Sequence, residues 1–147
     1  MDAQLTSNNT PVRILTVYRP TYDVNKKKIP VSLFYEEFST LLDDFVTSPM
    51  EIIITGDLNF HINDSMDYEA MEFLDYLSQY SLTNLVNEPT HIHGNTLDLV
   101  IVRENSSLIK DLRVLHKFSD HFLIHCTLNL DKPPSTKSTV GIKTCVR

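Results

Sequence analysis

Runs of β-branched and apolar residues alternate along the chain with two segments of helical periodicity. The runs predict strands at residues 11–18, 51–56, 82–86, 96–102, 112–115 and 122–130. Apolar residues at helical spacing predict helices at 30–47 and 66–80. The second helix is predicted to begin after a cap at Asp64 or Ser65 and to turn Met71 toward the core. This mixture of elements predicts an α/β fold.

The composition along the chain predicts one domain with polar ends. Residues 1–10 are polar and predict a disordered N-terminus, whereas 11–130 contain every predicted element. Residues 131–147, which include Pro133 and Pro134, predict a flexible linker or tail. A length of 147 residues is enough for one domain with a real core.

Charge and cysteine content limit the class of protein. A net charge of -6 argues against a general polyanion-binding surface, so any nucleic-acid contact must be local. Lys26, Lys27 and Lys28 are a candidate contact, although a lysine run is more often a solvated loop. Two cysteines make no disulfide framework, and we expect neither a membrane span nor a signal peptide, because no apolar run is long enough for a span and the N-terminal residues are polar. We therefore expect a nuclear or cytoplasmic protein without a membrane partner.

The most informative stretch is the strand Ile52–Ile54, which ends at Gly56 and is followed by Asp57 and Asn59. In an extended backbone residues i and i+2 point the same way, so Asp57 and Asn59 are expected to project together from the end of the strand. An Asp/Asn turn is the more common meaning of such a short motif.

Two further acidic residues occupy comparable places. Asp98 lies within an apolar strand, where a carboxylate is costly unless it is paired or binds a cation. Ser119, Asp120 and His121 stand together before the last strand, and Asp98 is a candidate partner for the His121 ring. A buried ion pair or a position on an edge strand explains Asp98 about equally well. We interpret His91 as a loop residue.

Carboxylates with an amide, and without thiolates, favour a hard cation such as Mg²⁺ or Mn²⁺. Such a cation next to an Asp/His pair is typical of phosphodiester hydrolysis, because the metal neutralises phosphate charge while a carboxylate activates water.

The order of these motifs resembles the endonuclease/exonuclease/phosphatase superfamily. More narrowly, it is similar to the apurinic-type endonuclease domain of LINE-type non-LTR retrotransposons. The resemblance covers about residues 11–130. It rests on Tyr18-Arg19-Pro20, Gly56-Asp57-Leu58-Asn59, Pro89-Thr90-His91, Gly94 through Val100, and Ser119-Asp120-His121.

The resemblance implies a role for each matching residue. Asp57 would activate the attacking water or protonate the leaving group, and Asn59 would orient the phosphate or that water. Tyr18 would lie near phosphate and metal. His121 would contact the scissile phosphate, with Asp98 as its orienting partner.

Further implied residues surround these. Asp120, with Asp57, would hold the metal, and Ser119 and Thr96 would support the site. The resemblance also implies a metal-binding glutamate on an earlier strand, and Glu51 is not at the matching place. We therefore expect the chain alone to be inactive or barely active.

The implied fold is part of a four-layered α/β/β/α sandwich that lacks its N-terminal half. The implied function is Mg²⁺-dependent nicking of DNA by a retrotransposon endonuclease, with a reverse-transcriptase domain as a partner in a longer chain. A catalytically inactive remnant or interaction module, and a phosphatase acting on small molecules, are the alternatives.

Overall fold

The computed structural model of the chain describes residues 2–7 and 10–130. Strands β1 (Asp2–Ser7), β2 (Thr10–Thr16), β3 (Glu51–Asp57), β4 (Leu82–Asn84) and β5 (Asp98–Arg103) form the main sheet in the order β1-β2-β3-β5-β4. Strands β2 and β3 are parallel, and the other neighbours are antiparallel. Strands β6 (Ile109–Lys117) and β7 (Phe122–Leu128) form a separate antiparallel pair.

Helices α1 (Val31–Val46) and α2 (Tyr68–Gln79) cover one face of the main sheet. Side chains alternate across a strand, so Ile52 and Ile54 pack in the helix-side core while Ile53 faces the other way. On that other side Ile53 belongs to a second core, which the β6–β7 pair covers. The arrangement of helices, main sheet and second sheet confirms the predicted α/β class and is consistent with a partial sandwich. Neither helix is long and apolar enough to cross a membrane.

The predicted disorder of residues 1–10 is wrong for Asp2–Ser7, which form β1 and pair with β2. A strand at the edge of a sheet can be held by backbone hydrogen bonds to its neighbour, and these do not require apolar side chains. The polar sequence of this segment therefore does not indicate a strand. The predicted linker at 131–147 lies outside the described residues.

Two predictions about the second helix are corrected. Its cap is Asp67, whose carboxylate accepts the backbone N–H of Ala70 at 3.1 Å, rather than Asp64 or Ser65. The buried side of α2 consists of Ala70, Phe73 and Leu77. Met71 follows Ala70 by about 100° around the helix and is therefore 43% exposed rather than in the core.

Candidate active site

Two carboxylates meet at one end of the main sheet, which we call the carboxylate edge and define by Asp57 and Asp98. Asp57, the last residue of β3, pairs in register with Asp98, the first residue of β5. Burial and the adjacent Asp98 charge raise the pKa of Asp57, although a hydrogen bond from the backbone N–H of Asn59 at 3.2 Å opposes them. Asp57 is therefore poised to take up a proton more readily than an ordinary aspartate.

His121, just before β7, lies against the carboxylate edge. Its Nδ1 is 2.7 Å from Oδ2 of Asp98. Burial alone lowers the pKa of His121, but this hydrogen bond and the charges of Asp98, Asp57 and Asp120 outweigh it and raise the pKa overall. The sequence-predicted partnership between Asp98 and His121 is thus present, and it favours the positively charged ring.

A buried threonine joins the two segments that carry this pair. The Thr90 hydroxyl oxygen accepts the backbone N–H groups of Leu97 at 2.9 Å and Asp98 at 3.0 Å. The Thr90 carbonyl accepts the N–H of Phe122 at 2.7 Å, directly after His121. The sequence does not assign Thr90 this role, because nothing in the pattern shows that one side chain spans both segments.

The prediction that His91 is only a loop residue is incomplete, because the structure places it in the site. It forms an isolated β-bridge with His121, and the two ring centroids are 4.9 Å apart. Its Nε2 lies 3.8 Å from Oδ2 of Asp120. A turn at Gly94, whose N–H donates to the His91 carbonyl, folds this segment back beside β5. The glycine is the one sign of this turn that the sequence offers.

Asp120 and Ser119 lie on the outer side of the site. The Ser119 hydroxyl donates to Asp120 Oδ1 at 2.9 Å, and this bond contributes most to holding the pKa of Asp120 below its usual value. The Asp120 side chain is 62% exposed, and its second carboxylate oxygen faces the His91 ring. The predicted partnership of Asp120 with Asp57 on one metal ion stays a prediction.

Tyr18 is beside the end of β3. The parallel pairing continues past β2 through hydrogen bonds from Val17 N–H to the Thr55 carbonyl and from Arg19 N–H to the Asp57 carbonyl, both 2.9 Å. This pairing places the Tyr18 backbone next to that of Asp57. The Tyr18 side chain is 68% exposed and so accessible to a ligand at the carboxylate edge.

Asn59 does not continue the strand as predicted. Its φ of 52° is left-handed, so the i, i+2 rule for extended chains does not apply. The Asn59 side-chain amide donates to the Arg19 carbonyl at 2.9 Å. Asn59 therefore stays next to Asp57, but a turn and not a strand holds it there.

Arg19, to which the sequence assigns no role, is buried beneath this turn. Its guanidinium donates to the carbonyls of Leu58 and Asn59, and its carbon Cζ lies 3.8 Å from the centroid of the Phe60 ring. Desolvation lowers the pKa of Arg19, and the Glu69 charge raises it in part. Arg19 thus fixes the backbone that follows Asp57.

The remaining predicted residues have side-chain or backbone partners other than Asp57 and Asp98. Thr96 is buried, and its hydroxyl donates to the Glu88 carbonyl at 2.9 Å, a structural contact. Lys28 pairs with Glu69 at 3.1 Å. Lys26 and Lys27 lie in a turn whose N–H groups are bound by Asp23.

The site can hold and move protons. Asp57 offers a carboxylate with a raised pKa, and His121 offers a ring whose charged form is favoured. Carboxylate oxygens are also the ligands that a hard divalent cation prefers. The combination suits acid–base chemistry on an anionic substrate.

Comparisons with known proteins show what the chain and its fold are similar to. A family model described as endonuclease-reverse transcriptase matches residues 12–125. The structure is also similar to that of the endonuclease domain of TRAS1, a telomere-specific non-LTR retrotransposon, with a TM-score of 0.71 and 18% sequence identity. The match covers 89% of this chain and 62% of that one. No curated protein matches the sequence significantly.

Proposed function

The family model spans more than half of the sequence, so the chain belongs to the endonuclease-reverse transcriptase family, and we propose that it hydrolyses phosphodiester bonds in DNA with the help of a divalent cation. The observation that carries this proposal is the contact of 2.7 Å between His121 and Asp98 directly beside Asp57. A proton-accepting carboxylate and a cationic ring at one edge are what hydrolysis of an anionic ester requires.

We assign the proton transfer to Asp57. Its raised pKa brings it closer to the operating pH, where a carboxylate both accepts and returns a proton efficiently. In this role Asp57 activates the attacking water or protonates the leaving oxygen. Asn59, held by the Arg19 carbonyl, and the exposed Tyr18 position the phosphate or the water.

His121 is assigned to the scissile phosphate. Its Nδ1 is engaged by Asp98, so its other ring nitrogen, Nε2, is the one that contacts an oxygen of the phosphate. Asp98 both orients the ring and stabilises its positive charge. Asp98 is therefore a positioning residue, and its low exposure is explained by this pairing.

The carboxylate oxygens of Asp57 and Asp98 are the type of ligand atom that Mg²⁺ and Mn²⁺ prefer. Magnesium in proteins is held by one or two carboxylates, with waters and substrate phosphate completing the shell. Asp98 and Asp120 have imidazole partners, whereas Asp57 accepts a hydrogen bond from a backbone N–H. Asp57 would therefore hold the metal through one carboxylate oxygen and keep the other for the proton, and the metal would supply positive charge against the charge developing on the phosphate.

DNA is the proposed substrate, and a reverse-transcriptase domain of the same polypeptide is the proposed partner. The acidic net charge of -6 requires a local contact with the phosphate backbone. The exposed Lys26–Lys28 turn supplies positive charge, although Lys28 is partly neutralised by Glu69.

A plasmid-nicking assay tests the assignment. The full chain is incubated with supercoiled DNA and Mg²⁺, alongside Asp57→Ala and His121→Ala and the matched controls Asp43→Ala and His116→Ala, which change exposed residues of α1 and β6. We expect weak nicking by wild type and both controls, because the implied metal-binding glutamate has no match in this sequence, and loss of that nicking in the two site variants. Undiminished nicking by either site variant would overturn the roles assigned to Asp57 and His121.

A catalytically inactive remnant is the second candidate. It is favoured by the pairing of Asp98 and Asp120 with histidines, which leaves a weak set of oxygen donors for a metal. Absence of Mg²⁺-dependent nicking by a folded wild-type chain would support this candidate. Turnover of a small phosphate ester instead of DNA would support a phosphatase.

A further inference from the structure

We propose that His91, Asp120 and His121 form a second metal site, which binds Zn²⁺ or a similar borderline cation. The ligand atoms of these three side chains all lie within 4.8 Å of one another. Two imidazoles and one carboxylate are a donor set that Zn²⁺ accepts and that Mg²⁺, with its preference for oxygen, does not. This site does not include Asp57, to which Mg²⁺ is assigned above, and it uses Asp120 for a different ion; only its consequence for catalysis rests on the proposed function.

The backbone holds the two histidines in place for such a site. The His91–His121 bridge is extended by a hydrogen bond of 2.9 Å from the N–H of Ile92 to the Asp120 carbonyl. The three ligands therefore come from two segments that are already joined before a metal arrives. A preformed pair of ligands lowers the ordering cost of binding.

His121 has the carboxylate partner that metal-binding histidines usually have. Asp98 lies 2.7 Å from Nδ1, so the neutral ring keeps its proton on that nitrogen and has its lone pair on Nε2, and Zn²⁺ binding would displace the second proton that the charged ring carries. The carboxylate also makes the ring a better donor.

His91 can contribute its Nε2, the atom 3.8 Å from Asp120. Zn²⁺ bound at Nε2 would leave the proton of the His91 ring on Nδ1. Nδ1 would then no longer accept the long 3.3 Å hydrogen bond from the His93 N–H. Ligands of a tetrahedral Zn²⁺ lie about 3.3 Å apart, given metal–ligand distances of about 2.0–2.1 Å. Rotation of the exposed Asp120 side chain and a small approach of the rings close the difference.

Occupation of this site would take His121 away from the phosphate. A bound Zn²⁺ uses the same Nε2 that we assign to the substrate, so the ion is expected to inhibit cleavage. Calorimetric titration of Zn²⁺ into the full chain at millimolar Mg²⁺ tests the site without any need for cleavage. A failure of the nuclease assay therefore leaves this test unaffected.

The titration compares wild type with His91→Ala and Asp120→Asn, and uses His93→Ala and His116→Ala as controls. We expect one tight site in wild type and in both controls, and a dissociation constant at least tenfold higher in the two site variants. Asp120 is exposed, so its isosteric change to Asn keeps the fold, which a thermal melt verifies. Equal affinity in wild type and both site variants would overturn the proposal.

Substitution with Co²⁺ distinguishes this site from the thiols of Cys126 and Cys145. A thiolate ligand gives an intense near-ultraviolet charge-transfer band that imidazole and carboxylate ligands do not give. We expect a cobalt spectrum without that band. Its appearance, with affinity lost on replacing the cysteines by serine, would also overturn the proposal.

Discussion

The hydroxyl oxygen of Thr90 lies 3.0 Å from the backbone nitrogen of Asp98 and accepts its N–H. The same oxygen accepts the N–H of Leu97, and Thr90 is fully buried. One side chain thus satisfies two backbone donors at the start of β5, while its carbonyl binds the start of β7. The position of Asp98 relative to His121 depends on this link.

Thr90→Val is expected to lower the free energy of unfolding by about 1–3 kcal/mol, because an isosteric side chain leaves two buried N–H groups without an acceptor. Thr90→Ser keeps the hydroxyl and is expected to lose less. Urea denaturation measures both. Equal losses in the two variants would show that packing of the methyl group, and not the hydroxyl, is what matters at Thr90.

Gly56→Ala is expected to be strongly destabilising. A Cβ at this position would lie 1.9 Å from the Val17 carbonyl oxygen, and φ is 139°. Gly94 has a φ of 85° with open space around it. Gly94→Ala therefore adds no steric clash, and its loss of stability measures the backbone strain alone, about 1–2 kcal/mol. Denaturation curves for the two variants should therefore differ clearly. A loss at Gly56 no larger than that at Gly94 would contradict the close approach of the two strands.

Much of this fold is predictable because its elements have local causes. The β-branched run Ile52–Ile54 and the helical spacing of Phe73 and Leu77 are visible in the sequence, and the structure contains both elements. The strand β1 is not predictable in this way, because its cause is the unpaired edge of β2, which no local pattern reveals.

The candidate site is predictable only in part, for a similar reason. The Asp98–His121 contact follows from chemistry, since a strand carboxylate needs a partner. The roles of Thr90 and His91 depend on a loop that returns to the sheet, and Asn59 departs from extended geometry at a left-handed φ. Loop paths of this kind have no periodic signal.

The coupling between Asp98 and His121 is expected to depend on pH. The pKa of His121 is raised in the folded state, so its stabilising contribution is fully present below its unfolded value of about 6.5. It is lost as the pH rises through the folded value. A double-mutant cycle of Asp98→Asn and His121→Gln, measured by denaturation at pH 5.5 and pH 9, should give about 1 kcal/mol at the lower pH and clearly less at the higher, where only the hydrogen bond of the neutral ring remains. A coupling energy that is equal at both values would contradict a contribution from the charged ring.

Arg19→Lys is expected to cost about 1–3 kcal/mol, although both side chains are cationic. Lysine has no planar fork to bind the carbonyls of Leu58 and Asn59 together, and it stacks less well on Phe60. Arg113→Lys, at an exposed arginine paired with Asp111, is the matched control and should change stability by less than about 0.5 kcal/mol. Similar small effects at both positions would show that Arg19 does not hold the turn after Asp57.

Asp57→Asn is expected to stabilise the fold while it abolishes cleavage. The pKa of Asp57 is raised first by burial and then by the Asp98 charge, so its ionised form is disfavoured in the folded state. The protonated Asp57 carboxyl therefore stabilises the fold at a pH below its pKa in the unfolded chain, about 3.9. This stabilisation is lost as the pH rises through the higher pKa of the folded state. At pH 7 the charge is therefore a cost, and asparagine removes it while its side-chain oxygen still accepts the Asn59 N–H.

We expect a gain of about 1 kcal/mol for Asp57→Asn by urea denaturation at pH 7 in the presence of EDTA. Asp98→Asn, at the cross-strand neighbour, should have the opposite sign because it breaks the contact with His121. Opposite signs at two aspartates in register would identify Asp57 as the residue kept for chemistry and Asp98 as the residue that holds the ring. A loss of stability in Asp57→Asn equal to that in Asp98→Asn would assign both carboxylates to the fold.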